Sequence, residues 1–108
     1  MKKLLITLSA LSTLTLAGTV NAADAKAMEA LAQKNGCLAC HSLDKKVLGP
    51  SYKDVAAKYK ADKSAETKLV EKVMKGGSGA WGSMPMPAAN AQVKEDDVKA
   101  IVSWIMSL

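Results

Sequence analysis

Three residues in one short stretch, Cys37-Leu-Ala-Cys40-His41, account for both thiols and the only imidazole of the 108-residue chain. A lone pair of cysteines at this spacing could form a disulfide or a thioredoxin-like redox couple, but no βαβ pattern surrounds it. Zinc fails on count: Cys37, Cys40 and His41 supply three ligands, and no further Cys or His closes a tetrahedron. Copper(I) is a sharper rival, because Met84 and Met86 would add soft sulfur. The pattern as it stands is C-x-x-C-H, the spacing at which two thiols add to the vinyl groups of a haem and the next residue presents its imidazole to the iron. On a helical turn, residues 37 and 40 share one side, close enough to hold a single porphyrin edge.

A haem iron bound by His alone has an open position for ligand or oxygen chemistry, whereas a His/Met pair fills both axial positions and raises the potential, which suits electron transfer. Met28, Met74 and Met106 fall in helical patterns, where methionine is ordinarily core filler. Met84 and Met86 remain. Met86 stands between Pro85 and Pro87, whose rings restrict the backbone and reduce the entropy lost in fixing a ligand.

The elements that position these residues can be read from the periodicity. Lys2-Lys3, the apolar stretch Leu4 to Val20 interrupted by six hydroxyl residues, and the end Val20-Asn21-Ala22 have the form of a secretory leader over residues 1–22, with cleavage expected after Ala22. Removing it leaves residues 23–108 as one small domain of 86 residues. The formal charge of +5 falls to +3, since Lys2 and Lys3 go with the leader. No later apolar stretch approaches the roughly 20 residues of a membrane span, so the product is expected to be periplasmic without stable membrane insertion. So short a chain buries a modest core and commonly leans on a prosthetic group.

Asp24 is expected to cap a first helix running to about Asn35, stopped by Gly36. Ser51 should cap a second, with Tyr52, Val55, Ala56 and Tyr59 on one buried face, and Ser64 a third that ends at Gly76-Gly77. Residues 76–92 are rich in Gly, Pro, Ser and Asn and are expected to lack regular structure. A stretch of that length in a compact chain is normally functional. Val98, Ile101, Val102, Ile105 and Leu108 restore helical spacing, with Glu95, Asp96 and Asp97 where the helix dipole favours them. Lys94 stands at the start of this helix and offers no side-chain cap, a loss of about 1 kcal/mol. Trp104 lies beside the apolar stripe and is read as core. The expected fold is all-α, about four helices around one covalently attached haem with a long Met-bearing loop.

Gly36-Cys-Leu-Ala-Cys-His41, Leu48-Gly-Pro50, Tyr52-Lys-Asp-Val-Ala-Ala-Lys-Tyr59, Gly76-Gly-Ser-Gly-Ala-Trp-Gly82 and Pro85-Met-Pro87 together resemble the small bacterial class I cytochromes c. The likeness spans essentially all of residues 23–108. It implies that Cys37 and Cys40 hold one haem c, that His41 and Met86 are the iron ligands, and that the Pro50 carbonyl accepts from the other His41 nitrogen. It further implies that Trp81 donates to a haem propionate, that Lys72 is a basic propionate partner, and that Asn90 approaches the methionine sulfur. In place of the family's shorter, more Pro-rich segment this chain has Pro87-Ala-Ala-Asn90-Ala-Gln.

The function so implied is one-electron transfer by a monomeric carrier that is not itself an enzyme. Its partners would be redox proteins: a membrane cytochrome complex as donor, and nitrite reductase, an oxidase or a peroxidase as acceptor, with no nucleic acid involved. Lys34, Lys45, Lys46, Lys53 and Lys75 are candidates for a basic ring around the haem edge, with Met84 and Pro85 as apolar contacts. Two readings of other classes are a haem sensor or peroxidase-like enzyme, if Met86 dissociates, and a Cu(I) carrier, if no haem is attached.

Overall fold

The computed structural model describes residues 22–108. Residues 1–21 of the expected leader lie outside the described residues; Ala22, its last residue, begins the first helix. Four helices follow in order: α1 (Ala22–Lys34), α2 (Tyr52–Tyr59), α3 (Ala65–Lys75) and α4 (Glu95–Met106). The expected all-α fold is therefore the observed one. No helix among the described residues is long and apolar enough to cross a membrane.

Each helix end has a local cause. Asp24 falls inside the first turn of α1 rather than capping it, and Gly36 reverses the chain after α1 in the left-handed region at φ 77°. Ser51 caps α2: its Oγ accepts from the Asp54 N–H at 3.1 Å, and the whole residue is buried. Ser64 does not cap α3, because its hydroxyl and N–H both donate to Asp62 Oδ1, at 2.7 and 2.9 Å. The charged carboxylate two residues back holds this turn, and Ser64 at φ −93° and ψ 1° lies outside the extended geometry in which a cap reaches the helix N–H groups. Lys94 gives α4 no side-chain cap, and its Glu95, Asp96 and Asp97 face the positive end of the helix instead.

Helix α4 is the spine, in contact with α1, α2 and α3. Its Ile101, Trp104 and Ile105 join Ala32, Tyr52 and Val55 in one buried cluster, while Val98 and Val102 join Val70 in a second. Trp104 is core, packed edge-on to Tyr52 with ring centroids 5.8 Å apart. Leu108 lies past the helix end and is exposed, so the apolar stripe stops a turn earlier than its spacing suggests.

The segment expected to lack regular structure contains a small antiparallel hairpin, β1 (Gly77–Gly79) with β2 (Gly82–Met86), pairing Gly77 with Met86 and Gly79 with Gly82 across an irregularity. Its strands show no alternation because they cover no core. What they use is backbone freedom, with Gly79 and Gly82 at φ 99° and 108°. The remaining stretch to residue 92 is irregular, as its composition implies.

Candidate haem site

Between α1 and α2 the chain makes a 3-10 turn over Cys37–Ala39, in which the Cys40 and His41 N–H groups both donate to the Cys37 carbonyl. This turn carries both thiols and the imidazole on one short rigid piece. Both cysteines are unpaired and partly buried. Burial pushes the Cys37 thiol up, and a hydrogen bond from Tyr52 offsets part of that shift.

Residues 42–50 then fold back under the turn, with Gly49 N–H on the Cys40 carbonyl at 2.7 Å and Tyr52 N–H on the Ser42 carbonyl. The result is that His41 Nδ1 lies 2.7 Å from the Pro50 carbonyl oxygen. A carbonyl only accepts, so Nδ1 carries the proton and Nε2 keeps its lone pair for a metal. The Tyr52 ring stacks on the imidazole, centroids 5.4 Å apart and planes 23° from parallel. Burial raises the Tyr52 phenol far above its usual range, so it stays neutral.

These groups open onto a largely apolar cavity of about 800 Å³, within the range that holds cofactors. Cys37, Cys40 and His41 are among its lining, with Ile101, Val102 and Ile105 of α4. Met84 and Met86 of the hairpin line the same cavity; Met84 is 62% exposed, whereas Met86 is half-buried. Met28, Met74 and Met106 pack against the two core clusters and not the cavity.

Trp81 sits at the hairpin turn and lines the cavity. Lys58 lies over its ring, Nζ 4.8 Å from the centroid, and donates to the Ala80 carbonyl at 3.2 Å. Lys72 also lines the cavity, folded so closely over Gly77 that a Cβ there would meet its Nζ at 2.6 Å. Asn90 is exposed and outside the lining, its Oδ1 accepting from the Gln92 N–H. Of the five candidate ring lysines only Lys46 lines the cavity, while Lys53 and Lys75 are held in surface pairs with Asp44 and Glu71.

Two contacts were not foreseen from the sequence: the Lys58–Trp81 stack and the closeness of Gly49 to His41. The first joins residues 23 apart and has no local signal. The second was signalled only as a Gly-Pro turn.

Two thiols, an imidazole with a free Nε2 and two thioethers lining one apolar space fit a covalently held haem. The cytochrome c family model matches residues 25–108, and the chain belongs to that family. Within it the relatives are small bacterial class I monohaem proteins. Cytochrome c-551 of Allochromatium vinosum is 56% identical over 78 residues, 72% of this chain and 82% of that one. Cytochrome c-552 of Nitrosomonas europaea is 49% identical over 78 residues, 72% of this chain and 75% of that one. The crystal structure of the Nitrosomonas europaea cytochrome c552 aligns at a TM-score of 0.69 and 48% identity, covering 74% of this chain and 98% of that one. The chain is accordingly an electron-transfer haem protein with one covalently bound haem c and its iron, working with redox protein partners.

Proposed function

We propose that the chain is a soluble periplasmic one-electron carrier, not itself an enzyme, in which Cys37 and Cys40 hold the haem and His41 and Met86 are the axial ligands. The observation that carries this is the bond from His41 Nδ1 to Pro50, which leaves the Nε2 lone pair free on a residue that lines the same cavity as Met86. When bound, the haem supplies a single reversible oxidation step at iron. His41 and Met86 would hold the iron and the apolar lining would exclude water, so that the ligand set would stay the same in both oxidation states and the electron would move with little reorganisation.

The Pro50 carbonyl orients the imidazole and increases its basicity toward the metal. Trp81 and Lys72, on the hairpin side, are assigned to the haem propionates. Asn90 is assigned to the neighbourhood of the methionine sulfur, which requires its Nδ2 to turn inward while Oδ1 stays in the Gln92 turn. Val47, Leu48 and Met84 form an exposed apolar rim at the cavity mouth, with Lys46 beside them. A rim of this size suits brief encounters of low interface area. The partners assigned to it are a membrane cytochrome complex as donor and a nitrite reductase, oxidase or peroxidase as acceptor.

A pyridine haemochrome spectrum on periplasmic protein, with carbon monoxide added to the reduced form, tests the reading. One haem per chain and no uptake of carbon monoxide are expected. Ready uptake would indicate an open sixth position and a sensor or peroxidase-like role, and absence of haem absorption a copper carrier. Mass spectrometry should find Ala23 at the N-terminus and the mass of one haem added.

A further inference from the structure

The imidazole of His41 is enclosed on more sides than a metal ligand requires. Pro50 holds Nδ1, Tyr52 covers one face, and Gly49 closes against the ring edge: a Cβ built on Gly49 would lie 2.6 Å from His41 Cε1, 3.0 Å from Nδ1 and 3.2 Å from the Cys40 carbonyl. Gly49 is not among the glycines with positive φ. Its φ is therefore one open to alanine, and the close approach that calls for glycine here is to the ring and not a left-handed turn.

We infer that Gly49 and Tyr52 are positioning residues, forming a slot that fixes the plane of the His41 imidazole. The inference rests on the proposed ligation by His41. With an ordinary contact beginning at 3.4 Å, a methyl group at residue 49 demands a shift of most of an ångström. If the ring moves, it leaves the Pro50 oxygen. If the backbone moves, that oxygen, one residue on, moves with it. Both routes disturb a 2.7 Å hydrogen bond whose strength depends steeply on distance and angle. On the open side, the stacked phenol of Tyr52 prevents the ring from rotating away, and Tyr52 is itself held by Trp104 and the core.

Because His41 is the only histidine, ¹⁵N-histidine labelling of the reduced haem-loaded protein yields two ring nitrogen signals without ambiguity. In the unsubstituted protein, Nδ1 should bear a slowly exchanging proton and Nε2 none at any pH from 5 to 8. A freely titrating imidazole would instead refute ligation by His41, independently of Gly49. Given ligation, Gly49→Ala should shift the Nδ1–H signal and speed its exchange by about tenfold, the scale of one hydrogen bond. Val70→Ala, a core truncation away from the cavity, should lower stability and leave both signals in place.

An Nδ1–H signal unchanged in position and exchange in Gly49→Ala overturns the inference. Should Gly49→Ala fail to mature, the Tyr52 pair decides. Tyr52→Phe keeps the stacked ring and should preserve the Nδ1–H signal, whereas Tyr52→Leu removes it and should shift the signal and speed exchange. Equal spectra from Phe and Leu variants overturn the slot.

Discussion

Gly76, at the end of α3, lies so close to Met86 that a side chain on it would begin 2.7 Å from the Met86 carbonyl oxygen and 2.7 Å from the Ala88 N. The Met-bearing strand is thus seated directly on a helix terminus. The Ala89 N–H continues the contact by donating to the Val73 carbonyl at 2.9 Å. Depth of burial of Met86 is set by how closely these two backbones approach.

Gly76→Ala should therefore cost more than backbone strain alone. Gly36 provides the comparison: at φ 77° and ψ 8° it is left-handed helical with nothing within 4 Å of a Cβ built there, whereas Gly76 at φ 74° and ψ −178° occupies a region essentially confined to glycine and meets the loop as well. We expect Gly36→Ala to lose about 1 kcal/mol and Gly76→Ala about 2–3 kcal/mol, since strain and collision add. Chemical denaturation of the two variants checks the difference; equal losses would mean that the loop yields freely.

The hairpin is held to α2 by Lys58, whose ammonium lies over Trp81 and bonds to Ala80. Lys58→Ala should lower stability by about 0.5–1 kcal/mol, the scale of an exposed cation–π contact. Lys58→Arg, which keeps a cation over the ring, should recover most of it in thermal unfolding. No recovery would show that the contact contributes nothing measurable.

What could be read in advance divides along the range of the interactions. Helical spacing identified four helices and most of the core, and the Cys-His turn and Met-Pro loop stand out because their chemistry is written in adjacent residues. The hairpin was hidden because glycines pair through backbone alone and bury nothing on an alternating face. Asp24 and Ser64 are cap residues by type that do not cap, since type does not reveal where the helix begins or which nearby group binds the side chain, and Ser64 binds the Asp62 carboxylate. The slot around His41 depends on how residues 42–50 fold back, a relation that no local pattern contains.

Asp62 gives the fold an acid-sensitive point. Hydrogen bonds from Ser64, and then the Lys68 ammonium, hold its carboxyl at about 2, below the ordinary 3.8. A depressed carboxyl stabilises the fold when ionised. Its contribution is complete above the unfolded value near 4 and disappears as pH falls toward 2. Asp62→Asn can still accept from Ser64, so the turn should persist while stability becomes flatter with pH between 4 and 2. Parallel pH profiles for both proteins would remove Asp62 from the acid response.

Met84 and Met86 lie two residues apart in one strand and line one cavity, so substituting alanine removes the same side chain from nearly the same place. If Met86 binds iron, Met86→Ala should abolish the sulfur-to-iron charge-transfer band of the oxidised protein and lower its potential, because thioether ligation is what raises it. Met84→Ala, which removes an exposed side chain, should keep the band and lose little stability. Met86 is the more buried of the two, so a larger loss of stability there is expected on packing grounds alone, and the band, not stability, identifies the ligand. The reverse outcome would assign the iron to Met84 and make Pro85 its C-terminal flank. Retention of the band in both variants would leave the Cys-His turn as the only anchored part of the site and reopen the sixth position.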